Sequence, residues 1–159
     1  MKNEAQDNPG VIAPPPLIYL VGLLAGVTLH KALLARLLPS LPRLPRLAVG
    51  SALLGLAGTI VNFAFRLMIQ KKTNVDPRLP ATTLVTEGPF RFTRNPLYLS
   101  MTLFFIGLSI LFDALGSLLV LPFVLSVMRR GVIDREERYL ERKFGKQYLQ
   151  YKSRVRRWL

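Results

Sequence analysis

The sequence has no cysteine in its 159 residues, which excludes disulfides, thiolate metal sites and a cysteine nucleophile. It has one histidine, His30, so a multi-histidine metal site is excluded as well. Acid is scarce: nine Asp and Glu stand against 22 Lys and Arg, a formal net charge of +13. Such a charge suits nucleic acid in general. Here the cations lie between long apolar segments, where anionic lipid headgroups are the nearer partner and nucleic acid is not expected. Only 19% of the residues are charged and half are hydrophobic, which points to a single membrane domain rather than a soluble one. The opening "MKNEAQDNPGVIAPPP" carries acids and four prolines in place of a basic n-region and apolar core, so a cleaved signal peptide is not expected. Residues 1–16 read as an irregular lead that the prolines keep from being helical.

Length and apolarity predict an all-α, polytopic membrane helical bundle with about four transmembrane helices. The first span is placed at 17–38, interrupted by His30, Lys31 and Arg36. The second, 47–68, contains a 19-residue uncharged run from Leu47 to Phe65, close to the length that crosses a bilayer. From Leu97 to Met128 the only charge is Asp113. One straight helix over that stretch would be roughly 48 Å long, too long for a core of roughly 30 Å. A hairpin turning near "DALGS" is therefore predicted, with spans at 97–112 and 114–130, Asp113 near the far surface and Pro122 kinking the last helix. Gly50, Ser51, Gly55, Gly58 and Thr59 offer the second span a small-residue packing surface. Asn62 and Arg66 end that helix, where Asn62 is either a packing contact or a ligand contact and Arg66 snorkels to the interface.

Orientation follows from the cations. Arg66 at the end of the second span with the five Lys and Arg before the third, and eleven after Met128, put the 71–96 loop, a helical tail at 131–157 and both termini on the cytoplasmic side. Arg36, Arg43 and Arg46 then fall in an outer loop, against the rule.

Two clusters stand out as chemistry-bearing. The first is "GPFRFTRNPLYLS" at 88–100. A residue before proline is pushed away from helical geometry, so Asn95 is predicted as a non-helical cap with Pro96 at the first helical position. Arg91 and Arg94 then face something anionic at the membrane surface; lipid phosphate is the plain candidate. The second is "EERYLERKFGKQYLQYKSRVRRWL" from Glu136. Leu140, Phe144, Tyr148 and Tyr151 form an aromatic stripe at helical spacing, with a bend at Gly145. Glu136 and Glu137 point about 100° apart on a helix, so at most one faces a cavity while the other braces a neighbouring cation.

Both clusters, in this order and separated by one hairpin, resemble the isoprenylcysteine carboxyl methyltransferase and phospholipid methyltransferase family of integral-membrane enzymes. The resemblance covers roughly 70–157. It implies S-adenosylmethionine as methyl donor, no metal, and a donor site built from Gly88, Pro89, Arg94, Asn95, Pro96, Tyr98, Glu136, Glu137, Tyr148 and Tyr151. Asn95 stands where the family often has histidine. The donor's carboxylate, ammonium and sulfonium suit a site mixing arginine, carboxylate and aromatic groups, with Phe144 a further candidate for the pocket wall. Arg154, Arg66 and Asn62 are the candidates for holding the acceptor. The implied acceptor is a lipophile entering from the bilayer, such as the carboxylate of an isoprenylated cysteine, which needs no general base. The alternatives are a phospholipid amine and a non-catalytic lipid-anchoring or assembly subunit.

Overall fold

The computed structural model describes residues 7–35 and 40–159; Arg36 and the end of the first expected span lie outside them. Among the described residues the chain is helical, with no strand. Helix α1, Pro15–Leu29, follows Pro14 and runs on through a π-helical turn, His30–Leu34. Helix α2, Arg43–Gln70, is 28 residues long, about 42 Å at the helical rise. Helix α3, Pro96–Leu111, starts with Pro96 in its first turn, where the missing N–H costs nothing. A short 3-10 stretch, Leu115–Leu119, leads into α4, Leu121–Met128, which continues through a π turn, Arg129–Ile133, into α5, Asp134–Phe144. Gly145 takes φ +50°, a region that favours glycine, and separates α5 from α6, Lys146–Arg154.

Pro15–Leu34, Arg43–Gln70 and Leu115–Phe144 are long and apolar enough to cross a membrane, and Pro96–Leu111 is a shorter apolar helix. The hairpin turns where the sequence placed it. Asp113 sits there at φ +54°, accepting the Leu41 N–H at 2.9 Å and pairing with Arg46 at 3.2 Å. That pair accounts for one of the cations against the charge rule: Arg46 is held by the acid on the neighbouring turn.

Two expectations are corrected. Pro122 does not kink a helix interior; it lies in the first turn of α4, because the preceding 3-10 stretch delays the helix. The small residues of α2 do not form one seam either. Gly50, Ala57 and Ala64 are buried at seven-residue spacing, and Gly50 lies so close to α3 that a Cβ would meet Leu111 at 2.5 Å. Gly55 and Gly58 have nothing within 4 Å of that position, Gly58 bordering the groove over α3 instead of packing on it.

Helix α3 is central: α2 packs along it on one side, while α1 packs on α3, α4 and the 3-10 stretch. Tyr19 of α1 fixes the second contact, its hydroxyl lying 2.8 Å from Thr102 Oγ1 and 3.3 Å from the Tyr98 carbonyl. His30 is likewise structural, accepting the Gly116 N–H on Nδ1 at 3.3 Å. One consequence of this layout is an apolar groove between α1 and α2 with α3 as its floor. At the opposite end from Asp113, the start of α3, the end of α2, α5 and α6 converge to form the mouth of the bundle.

Candidate functional site at the mouth of the bundle

The chain leaves α2 through an irregular segment and makes a 3-10 turn at Gly88–Arg91, with Gly88 at φ +56°. This turn buries Phe90, whose carbonyl accepts the Tyr151 hydroxyl at 2.7 Å. The next residues are pinned to the end of the chain. The Arg94 N–H donates to the Arg156 carbonyl at 3.0 Å. Thr93 Oγ1 and Asn95 Nδ2 donate to the Arg157 carbonyl at 3.0 and 2.9 Å. Asn95 thus precedes the helix in the expected non-helical geometry, but its amide ties the tail down instead of capping α3.

Adjacent positions on a helix point about 100° apart, and the two glutamates diverge accordingly. Glu136 Oε2 accepts the Tyr98 hydroxyl at 2.7 Å. Glu137 is 6% exposed and is gripped by Arg157, from Nε to Oε1 at 3.0 Å and from Nη2 to Oε2 at 2.7 Å. Arg157 also reaches Asp134 at 2.9 Å. Its guanidinium is held firmly protonated, chiefly by the Glu137 hydrogen bonds.

Arg94 is left partly unmatched. Its side chain is 9% exposed, and one nitrogen, Nη2, lies 3.2 Å from Glu137 Oε1. Its Nε and Nη1 are buried without a hydrogen-bond partner among the described residues. An unsatisfied buried donor costs about 1–3 kcal/mol, more when charged, so two on one guanidinium call for an acceptor.

Arg94 lines two adjacent cavities of about 60 and 80 Å³. Met68, Asn74, Ala81, Phe90 and Glu136 border both. Each is well below the roughly 300 Å³ at which small-molecule sites begin. Their outer wall is the irregular segment 74–85, held by the buried Tyr139, whose hydroxyl accepts the Ala81 N–H at 3.0 Å and donates to Asp7 at 2.8 Å. Tyr148 and Tyr151 line the larger cavity. Burial pushes both phenols well above their ordinary range, so both remain hydroxyls at neutral pH.

The apolar groove lies below, toward the Asp113 end. It measures about 430 Å³ and is lined by α1 from Pro16 to Leu23, α2 from Leu54 to Val61 and α3 from Ser100 to Leu108. Its upper rim is at Pro16, Val61 and Ser100, with Ser100 two residues from Tyr98 along α3 and Val61 three from Ala64 along α2.

Most residues picked out in the sequence converge here. Arg94, Asn95, Pro96, Tyr98, Glu136, Glu137, Tyr148 and Tyr151 all border the cavities. Gly88 and Pro89 shape the turn instead of lining a cavity, and Phe144 packs behind the tyrosines. Asn62, Arg66 and Arg154 are exposed: Asn62 and Arg66 sit on the face of α2 opposite the Ala57–Ala64 seam, and Arg154 ends α6 pointing away. They are not brought to the cavities. Arg157, Thr93, Met68 and Asp134 join the site without having been singled out. Arg157 is one of three arginines in the last six residues, and no spacing rule distinguishes it.

The 64 residues most similar to a curated Haemophilus influenzae protein of uncharacterized function are 45% identical, covering 40% of this chain and all of that protein. A second relative, the cobalt-zinc-cadmium resistance protein CzcN of Cupriavidus metallidurans, is 35% identical over 73 residues, 46% of this chain and 33% of that protein. The chain thus spans the whole of the first relative and a third of the second. No solved structure matches. The family profile of phospholipid methyltransferases matches residues 45–147, from the start of α2 through the mouth into α6, and the chain therefore belongs to the phospholipid methyltransferase family of integral-membrane methyltransferases.

Proposed function

We propose that the protein transfers a methyl group from S-adenosylmethionine, bound at the mouth of the bundle, to a lipophilic acceptor whose chain lies in the apolar groove. The observation that carries this reading is Arg94: a nearly buried guanidinium with two unpartnered nitrogens, Nε and Nη1, on a cavity edge suits the donor's carboxylate. Glu136, committed only to the Tyr98 hydroxyl among the described residues, is the acid free to take the ammonium or the ribose hydroxyls. Glu137, shared between two arginines, serves as their brace. Tyr148 and Tyr151 present ring faces and edges beside them, with centroids 6.2 Å apart, which suits a cationic sulfonium.

When bound, the donor supplies an activated methyl group. The chain's own part is placement: Arg94 and Glu136 fix two ends of one ligand, and the groove brings the acceptor head toward the rim at Ser100. Orientation of this kind supplies much of the acceleration in a displacement. The two cavities are too small for the donor as they stand, so the 74–85 wall must move outward to admit it, with the Ala81–Tyr139 hydrogen bond breaking.

A carboxylate acceptor, such as that of an isoprenylated cysteine, forms its O–CH₃ bond as the S–CH₃ bond breaks and releases no proton. It suits a mouth with no imidazole: His30 lies at the far end beside Gly116. The matching profile, that of phospholipid methyltransferases, favours a second reading in which the acceptor is a phospholipid amine. The amine must shed a proton, and Glu136, the carboxylate of the cavity wall without an arginine or lysine partner among the described residues, can take it. In either case the lysine- and arginine-rich mouth faces the cytoplasm by the charge rule, and those cations also bind anionic headgroups.

Purified protein in nanodiscs of its native lipids, supplied with methyl-labelled donor, tests both readings. Label in the lipid fraction that base releases as volatile methanol identifies a methyl ester. Base-stable label identifies an N-methylated lipid. No transfer, together with no donor binding by calorimetry, removes the reading.

A further inference from the structure

We infer that Arg157 is a positioning residue: by engaging both oxygens of Glu137 it keeps Arg94 from closing a fork on that carboxylate and leaves it open for an anionic ligand. This deepens the donor-site reading above and rests on it.

A carboxylate offers about four lone-pair sites, and its preferred arginine partner is bidentate, two parallel N–H···O bonds. Arg94 and Glu137 are both nearly buried, with side chains 9% and 8% exposed. Left alone, they would be expected to close into such a fork, which would satisfy Arg94 within the protein and cancel its charge. They do not. Both oxygens of Glu137 already receive Arg157, through Nε and Nη2, and Arg94 is confined to one 3.2 Å contact on Oε1. The outcome is the pair of unpartnered donors, Nε and Nη1.

The backbone holds this arrangement in register. The residues that flank and include Arg94 bond to the carbonyls of Arg156 and Arg157, so Arg157 cannot drift from Glu137 without pulling on the element that carries Arg94. Asp134, 2.9 Å from Arg157, offsets the second guanidinium's charge and leaves Arg94 as the cation with unspent capacity. Arg157 itself borders neither cavity, so its effect on a ligand is exerted through Glu137.

The test is calorimetric binding of S-adenosylmethionine, and of its analogue lacking the carboxylate, to detergent-purified wild type, Arg94→Ala, Arg157→Ala, Glu137→Gln and the double variant Arg157→Ala/Glu137→Gln. Loss of Arg157 should weaken S-adenosylmethionine by about tenfold or more, the worth of a charge-assisted contact, while leaving the decarboxylated analogue nearly unchanged. The double variant should bind like Glu137→Gln alone, because a neutral amide with one acceptor oxygen can neither close a fork on Arg94 nor cancel its charge. A merely structural role predicts the opposite: both ligands weakened together, and the double variant no better than Arg157→Ala. That result, or an Arg157→Ala variant that binds like wild type, overturns the inference. If Arg157→Ala does not fold, Arg157→Lys with and without Glu137→Gln is judged by the same rescue, since lysine cannot make the fork. Failure of the underlying reading looks different: no binding by wild type, or no loss in Arg94→Ala, would take this inference with it.

Discussion

The groove and the mouth are one helical turn apart and obey different physics. The groove is walled mainly by Leu, Val, Phe, Met and small residues; it offers shape and apolarity, and in hydrocarbon only close packing distinguishes one chain from another there. The mouth gathers two arginines and two carboxylates within salt-bridge reach and offers charge and hydrogen-bond direction. A methyl transfer between a polar donor and a lipophilic acceptor needs both kinds of surface, side by side and yet separated. Ala64 and Tyr98 are buried at that junction, Tyr98 bonding Glu136 on the mouth side.

Substitutions can break that division one side at a time. The largest effect is expected at the mouth: Arg94→Ala should weaken S-adenosylmethionine binding by about 100-fold, since it removes a desolvated bidentate donor and leaves Glu137 less well paired. Calorimetry checks this, and unchanged affinity would detach Arg94 from the donor. Next, Gly58→Leu should fill the groove. A Cβ there meets nothing within 4 Å, so the fold tolerates the side chain. Methylation of long-chain acceptors should fall about tenfold in kcat/KM, of the order that unfavourable packing of a few methylenes costs, with donor affinity unchanged. A fall in donor affinity would show the two surfaces to be one.

At the far end, Asp113→Ala removes both the Arg46 pair and the Leu41 N–H acceptor. The side chains are 26% and 21% exposed, so the cost should be about 1 kcal/mol, a melting shift of roughly 2–4 °C with donor binding intact. The smallest effects are expected from Asn62→Ala, Arg66→Ala and Arg154→Ala. Their exposed positions predict less than about a twofold change in donor affinity or turnover, within the range of surface substitutions. A tenfold loss in any of them would restore it to the acceptor site.

The contrast between these last three residues and Arg157 shows where sequence reading stops. Asn62 and Arg66 are polar residues at the close of the long apolar run of α2, and that exceptional context made them stand out. Which face of α2 they occupy depends on the seam of Gly50, Ala57 and Ala64, a seven-residue pattern hidden among many small residues. Arg154, Arg156 and Arg157 are chemically alike and lie within three residues of one another. Only the break of α6 after Arg154 and the extended turn at Val155 deliver Arg157 to Glu137.

What the sequence determined by itself is the part written in local chemistry. Apolar run length fixed the helices and the hairpin at Asp113, because hydrocarbon demands helices of a certain length with their backbone groups paired internally. Proline fixed the start of α3, because its ring accepts a first-turn position and its missing N–H is not needed there. The helical period fixed the divergence of Glu136 and Glu137. Which glutamate is spent on arginine, which arginine keeps free donors, and that a groove opens between α1 and α2 were decided by tertiary structure. Each depends on residues far apart in the chain meeting in one place, such as Arg94 and Arg157 around Glu137, and no local rule carries that distance.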